Sequence, residues 1–309
     1  MHTKDDKGEL VFSRSPFFYV GDKHKLLPQM LPKFPNDVDR IVEPFVGGGS
    51  VFLNSGIGNV LANDIDTRVI EIHEFLSSFS GKPEKLIDEV TDIGRRFGLT
   101  MSYKGITVPS EIKSRFPKTY YAEINRRAYA ELKDVYNASE QREPKLLYAL
   151  ILWGFNRMIR FNQKGEFNVP VGNVDFNSNA VTALSNYAHV TADIDLAFSS
   201  LDFENFIERS KLHKSDFVYV DPPYLITASE YNRQWNLEQE ERLYSLLDEL
   251  DKSRIKFAVS NVETYGEKEN ETLTRWMSKY KVHTIKSNYI NYFDNGKKSM
   301  RELLVCNYG

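Results

Sequence analysis

The spacing of apolar residues changes character twice along the chain. Residues 39–44 (DRIVEP) and 58–62 (GNVLA) are short apolar runs closed by turn formers, the pattern of buried strands. Between them sit a glycine cluster (VGGGS) and a brief apolar segment (VFLN). The second run ends at Asn63-Asp64, and residues 66–78 (DTRVIEIHEFLSS) then repeat apolar positions at helical spacing. Strand, glycine turn, short helix, strand and acid open a parallel α/β sheet, with a nucleotide-like ligand expected at the strand ends.

From residue 82 to 160 the period is helical, in EKLIDEVTDIGRRF, TYYAEINRRAYAELKDVY and EPKLLYALILWGFNRMIR. Residues 161–172 (FNQKGEFNVPVG) predict a hairpin with Lys164-Gly165 at its tip. Past residue 190 strands and helices alternate again. A strand at 215–220 precedes a helix at 236–250, capped by Asn236, with Leu243, Leu246, Leu247 and Leu250 on one face. A strand at 255–259 ends in Ser260-Asn261, and closing strands fall near 281–286 and 302–307. The expected organisation is a sheet domain in two halves, 1–78 and 190–309, around a mostly helical insertion over 79–189.

Composition adds exclusions. With 309 residues, 41% hydrophobic and 27% charged, the chain has ample material for a core. No apolar run approaches the ~20 residues that span a bilayer, and MHTKDDKGEL is too polar for a signal peptide. The single cysteine, Cys306, excludes an internal disulfide framework and a cysteine-cluster metal site, and suits a reducing cytoplasm. Six histidines without an HxxxH pair give no zinc signal, so no metal is expected. Residues 81–180 hold 16 Lys and Arg against 12 Asp and Glu, a balance of +4 that leaves −7 for the rest of a chain of net charge −3. A positive middle in a negative frame hints at phosphate, although a solvated helical face explains it equally.

Two motifs carry chemistry. Gly47, Gly48 and Gly49 allow close approach of a ligand to the backbone, and Asp64 after the next strand can accept both hydroxyls of a ribose. The spacing is not GxGxxG, and no lysine followed by Ser or Thr closes the loop, so a nucleoside without a phosphate tail is expected, S-adenosylmethionine foremost. Taken alone, such a cluster is more often merely a turn. In FVYVDPPYLI (217–226) the prolines fix φ and remove donors, leaving the Asp221 carboxylate and the Asp221 and Pro222 carbonyls as acceptors at set angles. An exocyclic amine offers two N–H groups to such acceptors, and the Tyr224 ring can stack on the base that bears it. In isolation the same residues read as a Pro-Pro turn with an Asp cap.

In combination these stretches resemble the Dam-type DNA adenine-N6 methyltransferases, the alpha group of the D12 class. The likeness runs through SPFFYVGDKHKLLPQM (15–30), VEPFVGGGSVFLN (42–54), LANDID (61–66), RFNQKGEFNVPVG (160–172), LDFENF (201–206), DPPY (221–224) and VSN (259–261). The order is cofactor motif, recognition insert, catalytic motif. It implies a Rossmann-like S-adenosylmethionine-dependent methyltransferase sheet with a mostly helical DNA-recognition insertion. Tyr19, where the family usually has Trp, and Lys23 would then contact the cofactor. Glu43, Phe45, Gly47 and Gly49 would hold its methionine end, Asp64 its ribose, and Asp202 with Phe203 its adenine. Asp221, Pro222, Pro223 and Tyr224 would form the catalytic motif, with Asp221 bordering the cofactor as well. Asp22 stands where the family has the second glycine of a pair.

The implied activity is methyl transfer to N6 of an adenine flipped out of double-stranded DNA, in the cytoplasm of a bacterial or phage-infected cell, by a monomer with pairing on DNA left open. Cytosine C5 methylation needs a cysteine nucleophile, and Cys306 lies in the closing strand. Cytosine N4 enzymes tend to carry Ser in place of Asp221. A glutamine-amide or RNA-adenine methyltransferase is the second reading, against which the helical insert with EFNVPVG counts, and a DNA-binding regulator without activity is the third, against which the intact Asp221, Asp64 and glycine turn argue. The family reads bases through the hairpin, which makes Arg160, Asn162, Gln163, Lys164 and Asn168 candidates: Arg and Lys suit guanine, Asn and Gln suit adenine. Asn173-Val174-Asp175 replaces the basic and aromatic residues usual in GATC-methylating members, so GATC is not carried over.

Overall fold

The computed structural model describes residues 3–4, 10–18, 21–106, 108–227, 235–286 and 300–309. Its strands are β1 (Thr3–Lys4), β2 (Leu10–Val11), β3 (Arg40–Glu43), β4 (Asn59–Asn63), β5 (Asp195–Ser199), β6 (Asp216–Val220), β7 (Lys256–Tyr265), β8 (Lys268–Glu269), β9 (Lys281–Ile285) and β10 (Met300–Cys306). Its α-helices are α1 (Leu27–Met30), α2 (Phe52–Ser55), α3 (Thr67–Ser77), α4 (Pro83–Phe97), α5 (Ser110–Arg115), α6 (Tyr120–Ala138), α7 (Pro144–Trp153), α8 (Ser178–Val190), α9 (Phe203–Arg209), α10 (Leu237–Lys252) and α11 (Glu271–Met277).

The main sheet runs β5-β4-β3-β6-β7-β10-β9, with β8 paired to the end of β7. The first five of these strands are parallel, and β10 lies antiparallel to both neighbours. The sheet grows outward from β3 through β4 and β5, then resumes on the other side of β3 with β6. Loops leaving β3 and β6 therefore diverge and open a crevice at their carboxyl ends, the usual ligand position of an open α/β sheet. This is the Rossmann-like α/β architecture expected from the sequence.

Why the central strands read as unbroken apolar runs follows from their two buried faces. Ile41, Phe217 and Tyr219 pack into one core with α1, α3, α7 and α8, whereas Val42, Val218 and Val220 pack into a second core under α9, α10 and α11. Helices α4 to α8 occupy the connection between the neighbouring strands β4 and β5. Their apolar faces join the first core, so Leu147, Leu150 and Tyr187 share it with Val69 and Ile72 of α3.

Local stop signals work where they are strong. Helix α4 starts at Pro83 and ends at Gly98, whose φ of 75° lets Leu99 N–H return 2.8 Å to the Gly94 carbonyl. The helix expected over 143–160 instead ends at Trp153. Gly154 turns extended, Phe155 N–H bonds the Pro170 carbonyl at 2.9 Å, and Gly172 N–H bonds the Trp153 carbonyl at 2.8 Å. A long-range crossing, with a Cβ at Gly172 barred by Gly154, overrides the local helical period. Strand β7 continues past 259 to Tyr265 because β10 pairs along its length, with a register shift between Arg301 and Glu302.

Candidate active site at the carboxyl edge of the sheet

Strand β6 delivers Asp221 from a fully buried run to the crevice. Lys23, itself 5% exposed, places Nζ 2.8 Å from Asp221 Oδ2 and donates to the Gly21 carbonyl at 3.1 Å. The Tyr224 hydroxyl lies 3.2 Å from Asp221 Oδ1 and 3.1 Å from Glu302 Oε1. Lys23 Nζ also stands 5.0 Å from the centre of the Tyr224 ring. Burial pushes the Asp221 carboxyl above its ordinary value, and the Lys23 ammonium opposes that shift. Glu302 lies outside the motifs read from the sequence. An acid inside the apolar strand RELLVC was a usable signal, because a buried carboxylate needs a cation or donor beside it.

Strand β3 ends at Glu43, 2% exposed, whose Oε1 has no hydrogen-bond donor among the described residues. Its carboxyl is held well above the usual range by burial and then by the nearby Asp221 charge. The glycine turn follows, with φ of 48° at Gly47 and 77° at Gly49. Asp64 braces it: Oδ2 accepts from Gly47 N–H at 3.1 Å, while Oδ1 accepts from Asp66 N–H at 3.0 Å. Burial raises the Asp64 carboxyl to about 6. Asp22 caps the turn at 23–25 through His24 N–H at 2.9 Å and accepts from the Ser50 hydroxyl, so it ties the opening motif to the glycine turn.

At the end of β5, Asp202 caps α9 through Glu204 N–H at 3.1 Å and pairs with Arg242 at 3.2 Å, both on Oδ1. Phe203 is 4% exposed and meets Phe45 at 5.5 Å between ring centres. Trp235, absent from the sequence reading, completes this group at 5.6 Å from Phe45 and 6.0 Å from Phe203. Its indole N–H reaches Glu240 at 3.3 Å. The structure thus gathers Lys23, Glu43, Phe45, Gly47, Gly49, Asp64, Asp202, Phe203 and the Asp221–Tyr224 motif along one edge of one sheet. Tyr19 lies outside the described residues.

The profile of the D12 class N6 adenine-specific DNA methyltransferases matches residues 19–290. The chain belongs to this family. It is similar to the type II methyltransferase M.FokI of Planomicrobium okeanokoites, at 32% identity over 96% of this chain and 43% of that protein. It is likewise similar to the modification methylase StsI of Streptococcus sanguinis, at 31% identity over 96% of this chain and 43% of that protein. The DNA adenine methylase of Salmonella typhi is 26% identical over 93% of this chain and 92% of its own length. The chain therefore spans less than half the length of the first two relatives.

In this D12 chain the hairpin over 161–172 closes through single antiparallel bridges, Phe161 to Phe167 and Gly154 to Val171, rather than a continuous ladder. Asn162 organises its tip: Oδ1 accepts from Lys164 N–H at 2.9 Å and Glu166 N–H at 3.0 Å. Gly165 turns there with φ of 72°. Arg160 spends its guanidinium on Asn168, 2.9 Å to Oδ1 and 3.0 Å to the carbonyl. Only Gln163 and Lys164 of the five candidates project as exposed side chains. The departure at 173–175 also has a local use. Asn173 bonds Tyr121 N–H and the Lys118 carbonyl, each at 2.9 Å, and the buried Asp175 accepts from Ser102 N–H at 2.6 Å. Among the described residues, no helix is long and apolar enough to cross a membrane.

Proposed function

We propose that the chain transfers a methyl group from S-adenosylmethionine to N6 of an adenine flipped out of duplex DNA. The observation that carries this reading is the Asp221-Pro222-Pro223-Tyr224 motif beside the glycine turn, at the point where the sheet reverses direction. The residues fit the cofactor. Glu43, Asp64, Asp202 and Asp221 are acceptors, and Lys23 is already paired, so the crevice suits a ligand bearing cations and hydroxyls rather than a phosphate. Glu43 would receive its ammonium, Asp64 its ribose, and Phe203 with Trp235 its adenine, while Phe45, packed against both of those rings, opens the turn at the methionine end. When bound, the cofactor supplies an electrophilic methyl on a sulfonium.

This chain's own residues supply orientation. The Asp221 carboxylate and the Pro222 carbonyl accept the two N6–H groups, which turns the nitrogen lone pair out of the base plane and toward the methyl donor. Tyr224, its hydroxyl lying between Asp221 and Glu302 and donating to one of them at a time, offers its ring to the base, and stacking returns about 1–3 kcal/mol of the flipping cost. The proton released from N6 passes to Asp221, whose raised affinity for protons suits it to accept one transiently. The test is incubation with tritiated cofactor and plasmid DNA, then digestion to nucleosides. Label in N6-methyladenine supports the reading; label in cytosine, RNA or protein, or none, overturns it.

Asp64 acts on affinity. Asp64→Ala should weaken cofactor binding by about 10- to 150-fold, the worth of a charge-assisted hydrogen bond of roughly 1.5–3 kcal/mol. Because burial holds this carboxyl near pH 6, wild-type affinity should decline as pH falls through about 6, where the acceptor gains a proton. Asp64→Asn should lose that dependence. Calorimetry across this range checks both, and unchanged affinity in the alanine variant removes Asp64 from the site.

The helical block over 79–189, with its hairpin, is in this reading the part that meets DNA. Lys164 stands exposed at the tip, so Lys164→Ala should weaken all duplexes alike and lower the salt dependence by about one charge. Arg160→Ala should also loosen the hairpin, because it releases Asn168, and blur discrimination between sites. Sequencing of methylated DNA first defines the site. Affinities for cognate and single-base-altered duplexes at two salt concentrations then decide. If both variants bind every duplex as wild type does, the hairpin is not the reading head. The kinship with modification methylases supports a role beside a restriction enzyme.

A further inference from the structure

His73, on α3, is a fully buried titratable side chain that the proposed mechanism leaves unused. Its Nε2 lies 2.9 Å from the Gly47 carbonyl, and its Nδ1 lies 2.9 Å from the Tyr187 hydroxyl on α8. Four rings enclose it: Phe17 at 4.3 Å, Phe198 stacked at 5.2 Å, Phe52 at 5.8 Å and Tyr187 stacked at 6.0 Å.

The chemistry of the partners fixes the protons. A carbonyl oxygen can only accept, so Nε2 carries the hydrogen. In a neutral ring Nδ1 is then an acceptor, and the Tyr187 hydroxyl donates to it. Burial lowers the His73 pKa to about 4, which keeps the ring neutral at ordinary pH. The donations continue beyond the glycine, since Gly47 N–H donates to Asp64 Oδ2 at 3.1 Å. One chain of hydrogen bonds thus links α8 in the helical block, α3, the glycine turn and the acid after β4.

Peptide geometry gives this chain its consequence. A trans peptide is planar, with its carbonyl and the following N–H on opposite edges. Drawing the Gly47 carbonyl toward His73 therefore turns the Gly48 N–H away from the histidine. Without a donor at Nε2, this peptide would lose the hydrogen bond on its own carbonyl and be held only through its neighbours, the Gly47 N–H on Asp64 and the Gly48 carbonyl under the Ser15 hydroxyl, at a place where glycine imposes little torsional preference.

We propose that His73 is a positioning residue for cofactor binding: its Nε2–H sets the Gly47–Gly48 peptide, and the Tyr187 hydroxyl, donating to Nδ1, holds the ring in place. This inference rests on the cofactor reading above. His73→Phe fills the same ring-lined space without a donor and should weaken S-adenosylmethionine binding by about tenfold or more. His73→Gln restores an N–H near the position of Nε2 and should bind within about threefold of wild type. Calorimetry on the full chain measures all three. Equal affinity for the two variants, whether weak or strong, overturns the positioning role while leaving the cofactor reading intact. A wild-type protein that does not bind the cofactor overturns both. Nitrogen-15 spectra of the wild-type histidines provide a check that needs no folded variant. A neutral Nε2–H tautomer for His73 supports the proposal, and an Nδ1–H tautomer or a charged ring overturns it.

Discussion

Asp221→Ala should lower the single-turnover methylation rate by about two or more orders of magnitude, the scale of loss when an oriented hydrogen-bonding group is removed from a reacting centre. Cofactor affinity should change far less. The substitution also strips the ion pair from Lys23, a lysine with 5% exposure that would keep the Gly21 carbonyl and the more distant Glu302. Some loss of stability is therefore expected and should be measured alongside the rate. Asp221→Asn separates the effects, since it keeps an acceptor oxygen and removes the charge. Burial holds the Asp221 carboxyl above its ordinary range, so the wild-type rate should fall on the acid side sooner than an exposed carboxylate would dictate. The asparagine variant should lack that limb. An alanine variant within about tenfold of wild type would remove Asp221 from the reaction.

Gly49→Ala should be a severely damaging change in the glycine turn. At φ of 77° any side chain is strained, by about 1–2 kcal/mol for alanine. The new Cβ would also overlap Phe52 Cε1 and come within 2.9 Å of His73 Cε1. Phe52 is 1% exposed and His73 0%, so neither can yield without opening the core, and overpacking of this kind adds roughly 1–3 kcal/mol. The sum is roughly 2–5 kcal/mol of stability, with cofactor binding weakened beyond about a hundredfold in whatever remains folded. Gly58→Ala is the matched control, with nothing within 4 Å of its Cβ. Denaturant unfolding of both variants decides: equal stability would mean that the turn tolerates a side chain and that its glycines serve no close approach.

What could be read from the sequence was local in origin. Asp221 and Asp64 each end an apolar strand, and the strand period together with the parallel order puts such ends on one edge. The glycine turn and the Pro-Pro kink announce themselves through residue type. The parts that escaped depend on partners distant along the chain. His73 bonds residues 26 and 114 positions away, and Tyr224 meets Glu302 at a separation of 78, so no periodicity reports either contact. Trp153 ends its helix because Gly172 crosses Gly154, again a tertiary decision imposed on a sequence that continues to favour helix. Arg160 shows a different limit. Its residue type suits a guanine, but its partner eight positions on engages it within the hairpin, and composition cannot separate the two uses. Asp202 likewise uses one oxygen, Oδ1, both to cap α9 and to pair with Arg242, and residue type alone does not reveal that second partner.

Strand β10 enters the sheet between β7 and β9, both earlier in the chain, rather than at its edge. During synthesis the ribosome therefore releases β7 and β9 before the strand that joins them: β7 waits with one side unpaired, and β9, which pairs only with β10 among the described strands, waits without a partner strand. Glu302, the carboxylate that helps anchor Tyr224, arrives on that same strand. A nascent chain therefore carries the Asp221 motif and the glycine turn before the carboxylate beside the Tyr224 hydroxyl has been made. The cost is open strand edges that are prone to wrong pairing until β10 arrives, and without residues 300–306 two strands would be lost from the sheet rather than one, because β9 is held only by β10 among the described strands.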